Sequence, residues 1–291
     1  MKKVECKVIL ELFDKMIIPN LLNNAESWLM TETDEKEMEK IEIQALKRLF
    51  NLPSSTPTIA IMYSFGKIFT SCRIYLIQFM YLQKVLKRDE THWTKQLLYH
   101  LKDKNTGWSK KIDEKLNEYK LEANWNEIEK MNLKQWKMKV KKAVNTKNRE
   151  KMIEQCVATK NGETTTKYKT SFVYEKIKTN TSDPKPLNEE LSETKQRARI
   201  ILIARSRMLE CGRNFKGTMN EQCEECHVID DENHRINSYR KWKETNRHDS
   251  TEKVEFDDVF CCEKLKLDKI LEEIGKVWDL EYSHNRMKRK N

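Results

Sequence analysis

Met131–Lys151 reads MNLKQWKMKVKKAVNTKNREK, and the organisation of the chain is read outward from it. Leu133, Trp136, Val140 and Val144 recur at spacings of 3, 4 and 4, which puts them on one side of an α-helix. Around this stripe stand eight basic residues, Lys134, Lys137, Lys139, Lys141, Lys142, Lys147, Arg149 and Lys151, against one acid, Glu150. Such a helix presents either a solvated outer face or a surface for phosphate, which requires cations without regularly interposed acids. Lys134, Lys137, Lys141 and Lys142 are the candidate phosphate contacts here. Trp136 reads either as a core residue or as a group on which a base stacks.

Upstream, the same helical period continues. Trp108, Ile112, Leu116 and Tyr119 share one face, and Trp125, Ile128 and Met131 extend it. Ile68 to Leu86 is a long, largely apolar segment that predicts a buried helix. Cys6 to Ile18 predicts a helix packed on a core, stopping at Pro19-Asn20. Thr33 reads as the N-cap of the next helix, since Asp34, Glu35, Glu37 and Glu39 complement the dipole of its first turn. Met38, Ile41, Ala45 and Leu49 would be the apolar face of that helix, which ends at Leu52-Pro53.

Composition agrees with a mainly α protein. Gly and Pro number only 6 and 5 among 291 residues, so the breakers that a turn-rich β architecture needs are scarce. The hydrophobic share of 38% and the charged share of 35% predict a thin core under wide solvated faces. Lys and Arg outnumber Asp and Glu by 56 to 46, and the resulting net charge of +10 favours polyanionic partners. Lys2 and Lys3 resemble the start of a secretory leader, but Glu5, Lys7, Glu11 and Asp14 interrupt any apolar run after them. Ile74 to Leu82, the best membrane candidate, contains Gln78 and is too short to span. An intracellular protein of the nucleus or cytoplasm is therefore expected, with reduced thiols and no membrane association.

The chain is expected to divide into a helical region (1–157), a threonine-rich mobile linker (158–194), an arginine-rich helix with a cysteine cluster (195–250), and a C-terminal helix with a basic tail (251–291). Residues 158–194 are poor in apolar side chains and contain Pro184 and Pro186. The helix after them carries Arg197, Arg199, Arg205 and Arg207, a second set of candidate phosphate contacts. Cys223 and Cys226, two residues apart, are spaced to grip one Zn²⁺ from a tight turn, and His234 is placed to return as a third ligand. Tyr239 stands where a fourth ligand would close the tetrahedron. Cys211, His227, Cys261 and Cys262 are substitutes among which spacing does not choose. In a segment with so few apolar residues, the metal would decide whether the motif folds.

The Cys223-x2-Cys226-x7-His234-x4-Tyr239 pattern resembles the C-terminal Cys-His motif of non-LTR (LINE-type) retrotransposon polyproteins, with Tyr239 replacing the last cysteine. Met208 to Gly217 and Asp230 to Ser238 agree with its surroundings. Pro19-Asn-Leu-Leu-Asn-Asn-Ala-Glu-Ser-Trp28 is similar to that family's stretch just after the polymerase palm. Glu39 to Gln44, Leu49 to Pro53, Ser55 to Thr58 and Ser64-Phe65-Gly66 follow in the order of its thumb region. The resemblance implies a helical thumb-like bundle, a flexible linker, a small knuckle-like motif and a C-terminal helix. It implies RNA and/or DNA as partners, and a separate polymerase chain as a further one.

No complete catalytic site is expected. The resemblance begins after the palm that holds the metal-binding carboxylates of nucleotidyl transfer. Asp230-Asp231 and Asp257-Asp258 lack the apolar hairpin context of such a site, and both read as surface acids. His92 and His100 have no Ser, Asp or Cys partner in a supportive local context. Gly66-Lys67 lacks the upstream glycine of a phosphate loop. Two other readings stay open at this point: a structural or protein-interaction remnant, and a degenerate fragment that does not fold stably.

Overall fold

The structure is a computed structural model that describes residues 5–122, 124–160 and 163–166, with Tyr174, Ile177, residues 198–199 and 201–203, Gln222 and residues 227–229. The described part is mainly helical. In chain order the elements are α1 (Cys6–Leu12), a π-helical turn (Phe13–Ile17), α2 (Ile18–Leu21), a 3₁₀ turn (Ala25–Ser27), α3 (Glu32–Leu49), α4 (Thr58–Ser64), α5 (Thr70–Leu86), α6 (Trp93–Asp103), α7 (Gly107–Glu118), α8 (Trp125–Lys130) and α9 (Leu133–Cys156). Two short paired strands follow, β1 (Val157–Lys160) and β2 (Glu163–Thr166). No helix among the described residues is long and apolar enough to cross a membrane.

The chain forms two compact units. One comprises residues 8–48 and 65–165, the other residues 1–7, 49–64 and 166–291. In the second unit, Ile59 to Ser64 of α4 are buried, the Arg199 Nε donates to the Asn51 carbonyl at 2.9 Å, and Gln222 bridges Ile229. The first unit is built around α5. Cys72, Ile74, Tyr75, Phe79, Leu82, Val85 and Leu86 of that helix are buried, as the apolar run from Ile68 to Leu86 predicted. Tyr75, Phe79 and Tyr119 of α7's C-cap form a tilted aromatic cluster with ring centroids 5.4–6.1 Å apart. Two buried glutamines of α5 close the ends of neighbouring elements. The Gln78 amide donates to the carbonyls of Ala25 and Trp28, and the Gln83 amide to those of Ile128 and Met131, at 2.9–3.1 Å. The Trp28, Ile128 and Met131 carbonyls lie at the C-terminal ends of the 3₁₀ segment and of α8, where backbone acceptors lack helical partners, and the Ala25 carbonyl also accepts from the Trp28 amide.

Three expectations are corrected. The N-cap of α3 is Thr31 rather than Thr33: the Thr31 hydroxyl accepts from the Asp34 amide at 3.2 Å, and the Asp34 carboxylate accepts from the Thr31 amide at 2.9 Å. This reciprocal pair is a capping box, and Thr31's hydroxyl and amide hold the Asp34 carboxyl below its ordinary range. The N-terminal helix does not stop at Pro19. It passes through the π turn, and Pro19 sits in the first positions of α2, where a missing N–H is tolerated.

The third correction concerns the face α3 buries. Ile41, placed on the apolar stripe, is 48% exposed, while Glu39, Glu42, Ile43 and Leu46 are buried. The helix is rotated so that Glu35, Glu39 and Glu42 meet polar groups of the bundle. Tyr75 donates to Glu35 at 2.5 Å, Ser71 donates to Glu39 at 2.6 Å, and Thr70 donates to Glu42. Lys151 adds an ion pair to Glu39, Lys115 one to Glu35 at 3.6 Å, and Arg73 one to Glu42 at 3.9 Å. Unpaired, these buried carboxylates would be costly; paired, they fix one rotation of the helix.

Glu42 is the strained member of this row. Burial is the main cause pushing its carboxyl above the ordinary value, against the pull of Arg73, the Thr70 hydroxyl and Lys67. A raised folded value means that the folded chain holds the proton more tightly than the unfolded one. The stability this contributes is complete below the unfolded value near 4.5 and is lost as pH rises through the folded value. Glu42→Gln keeps an acceptor for Thr70 and removes the titration. Its melting temperature, followed by circular dichroism, is expected to gain on that of the wild type as pH rises through this window. Two curves that stay parallel would show that Glu42 carries no such penalty.

Candidate nucleic-acid interface

The sequence that decides the fold also builds the candidate surface. Asn132 caps α9, its side chain accepting from the Gln135 amide at 3.0 Å. The helix then runs for 24 residues, about 36 Å. Trp136, Val140, Val144, Asn148, Met152 and Cys156 are buried at a strict spacing of four. Leu133, expected at the head of this stripe, is instead 58% exposed: the spacing of four starts at Trp136, and Leu133 precedes it by only three. Trp136 is fully buried, and its indole N–H donates to the Phe79 carbonyl at 3.0 Å. It is a core residue, and no base reaches it.

Asn148 does the corresponding work at the other end. Its side-chain oxygen accepts from the Phe69 amide at 3.0 Å, just ahead of α5. Trp136 against Phe79 and Asn148 against Phe69 make α9 and α5 antiparallel neighbours pinned at two levels. Neither bond is solvent-exposed, so removing either partner strands a buried polar group, which costs about 1–3 kcal/mol.

With the helix held in this rotation, its basic residues divide by role. Lys147 pairs with Glu118 at 3.2 Å and Glu150 at 3.6 Å, and Lys151 pairs with Glu39 while touching the Ser71 hydroxyl at 3.0 Å. Burial alone would raise the Glu118 carboxyl, but Lys115 and Lys147 hold it below its ordinary range. These lysines are internal to the bundle's electrostatics. Lys134, Lys137, Lys139, Lys141 and Lys142 are all exposed, and none makes an ion pair among the described residues. At about 100° per residue, Lys134 and Lys141 fall within about 20° of each other, and Lys142 lies about 160° around the helix from both Val140 and Val144. Lys134 to Lys142 spans about 12 Å of helix axis, over which one strand of B-form DNA presents about three or four phosphates.

Of the second set of candidates, Arg199 is half-buried and bonded through its Nε to the Asn51 carbonyl. Arg197, Arg205 and Arg207 lie outside the described residues, as do Cys223, Cys226, His234 and Tyr239 of the Cys-His motif. His227 is exposed, with its backbone in the left-handed region at φ 58°. The structure gives His92 a structural role: its ring nitrogen accepts from the Thr94 amide at 3.3 Å and caps α6. It also exposes Trp93, which the sequence did not single out. The one signal for it was position, since Trp93 opens a helix directly after the polar turn Asp89–His92. No family model, curated protein or solved structure matches the chain.

Because the five lysines are exposed and make no ion pair among the described residues, replacing Lys134, Lys137, Lys141 and Lys142 together by Gln is expected to leave the melting temperature unchanged or slightly raised, through relief of like-charge repulsion. A fall of several degrees would mean that this face is covered and structural.

Proposed function

We propose that the chain is a nucleic-acid-binding segment similar to the region of a non-LTR retrotransposon reverse transcriptase that follows the catalytic palm. In this reading the helical unit corresponds to a thumb-like bundle. Residues 158–194 form a linker to an arginine-rich helix and a knuckle-like Cys-His motif, and a C-terminal helix with a basic tail closes the chain. Polymerase activity would belong to a separate chain carrying the palm. RNA and DNA are both candidate ligands, since a backbone-reading surface discriminates poorly between them.

The observation that carries the proposal is the lysine face of α9: five exposed cations, unmatched by acids among the described residues, on a helix whose buried edge is fixed at two levels. Such a face offers phosphate contacts whose ordering has already been met by folding. A second reading, a protein-interaction role, is favoured by a different observation. Val8, Leu12 and Met16 recur every four residues on the first helix, and all three are exposed.

Salt separates the two readings. Binding of a single-stranded oligonucleotide is expected to weaken steeply with ionic strength, and neutralising the four lysines should shrink the slope of log K against log [salt] by about 3. Weak binding that ignores salt would favour the protein-interaction reading.

For the Cys-His motif we propose zinc held by Cys223, Cys226 and His234, with Tyr239 in the fourth ligand's place. A phenol is a poor structural-zinc ligand, so competition against a chromophoric chelator should show Zn²⁺ retained by the wild type and gripped tighter by Tyr239→Cys. If Cys223→Ser left Zn²⁺ retention unchanged, these ligands would be wrong.

A further inference from the structure

Five tryptophans lie among the described residues, and four of them are at least half-buried. Trp125 and Trp136 are fully enclosed, their ring N–H groups donating to the Asp113 carboxylate at 2.7 Å and to the Phe79 carbonyl at 3.0 Å. Trp28 and Trp108 are half-buried. Trp93 is 68% exposed. Leu97, one turn further along the same helix, is 47% exposed, so the two form a short apolar strip on the outside of α6.

This exposed indole stands on rigid ground. His92 caps the helix and lies beside the Trp93 ring, with planes 24° apart and centroids at 6.2 Å. Arg88 donates to the Thr94 hydroxyl at 2.7 Å and closes the turn. Lys95, two residues on, is buried and bonded to Glu90 at 2.6 Å and Glu129 at 2.8 Å. Glu129 belongs to α8, whose last carbonyls are held by Gln83 of α5, and α9 begins two residues after α8's C-cap. Trp93 therefore sits at the same end of the helical unit as the first lysines of α9. On the segment leading into α6, Lys84, Lys87, Asp89 and Glu90 are exposed, and Glu90 shares Lys95 with Glu129.

We infer that Trp93 is a stacking platform for an unpaired nucleobase at the end of the α9 lysine surface; this rests on the nucleic-acid reading above. An exposed indole at the end of a cationic surface is an arrangement by which proteins hold single strands, with charge tracking the backbone and the ring taking a base. Paired bases are already stacked on one another, so the ligand is single-stranded or carries an unpaired base. A protein partner would also cover an apolar strip, but two residues are a small patch, and the lysines at the start of α9, at the same end of the unit, complement a polyanion.

The test uses the full chain at low salt with three probes of equal length: a single-stranded oligonucleotide, the same strand with abasic positions, and its duplex. The difference between wild-type and Trp93→Phe fluorescence isolates the Trp93 emission. The base-bearing single strand is expected to quench it, and the abasic strand to bind without quenching. Trp93→Ala should weaken the base-bearing strand about tenfold, with Trp93→Phe close to wild type, the salt slope unchanged and the melting temperature preserved. Two outcomes overturn the inference while leaving the lysine surface intact. One is salt-dependent binding with no quenching and no effect of Trp93→Ala. The other is a blue shift of Trp93 emission with rising protein concentration and no oligonucleotide, which assigns the strip to a second copy of this chain. If no probe binds the wild type even at low salt, the nucleic-acid reading fails, and this inference fails with it.

Discussion

The helical unit depends on one row of acids turned into the bundle. Glu35, Glu39 and Glu42 lie along α3 at spacings of four and three, which brings them to one side of the helix. Each meets a hydroxyl of α5, from Tyr75, Ser71 and Thr70, and each has a cation within ion-pair reach. A hydrophobic face of similar area would tolerate small rotations. A row of half-desolvated carboxylates does not, because turning α3 by one position separates every acid from its donor and leaves charge in a poorly hydrated place. The polar row thus supplies register where the thin core supplies little. The same logic places Lys67, which is almost wholly buried, against Asp14 at 2.5 Å, with Arg73 joining from α5.

The cations of α9 divide between its two halves. Two of that helix's cations, Lys147 and Lys151, are drawn inward by Glu118 and Glu39. This fixes its C-terminal half as firmly as Trp136 and Asn148 fix its packing edge. The lysines at 134–142 have no acid within ion-pair reach among the described residues. An unmatched cationic face on a pinned helix differs physically from one on a mobile segment, because phosphate contacts there do not first have to order the backbone.

The helices were legible where burial is apolar and periodic. The run from Ile68 to Leu86, the Trp108–Tyr119 face and the Trp136–Val140–Val144 edge all emerged from spacing alone, because those positions bury what hydropathy marks as buriable. Legibility ended where burial is polar. On α3 the hydropathy pattern pointed to Met38 and Ile41, while the structure buries Glu39 and Glu42. No local rule signals that Glu42 will find a threonine 28 residues away. Leu133 failed for a related reason: a spacing of three is compatible with a helix face, but the actual edge precesses at four and leaves it behind. At the candidate interface, the charge run was visible in the sequence. The separation of Lys147 and Lys151 from the outer five was not, since it rests on contacts across 112 residues between Lys151 and Glu39.

Trp93 shows the complementary limit. Read as a string, it is one more aromatic residue at the start of a tryptophan-punctuated helical region, and no periodic face includes it. What distinguishes it is the position that Lys95 takes. Two residues on, the buried place on α6 is held by a lysine clamped between Glu90 and Glu129, so the helix turns an ionic edge inward and its first aromatic outward. Lys95→Leu would make the inward edge apolar and leave Glu129 without its cation, loosening the tie between α6 and α8 that holds Trp93 in place. The buried charges of this unit therefore do more than replace missing hydrophobic contacts. By deciding which way each helix faces, they determine which aromatic and cationic groups remain available on its surface.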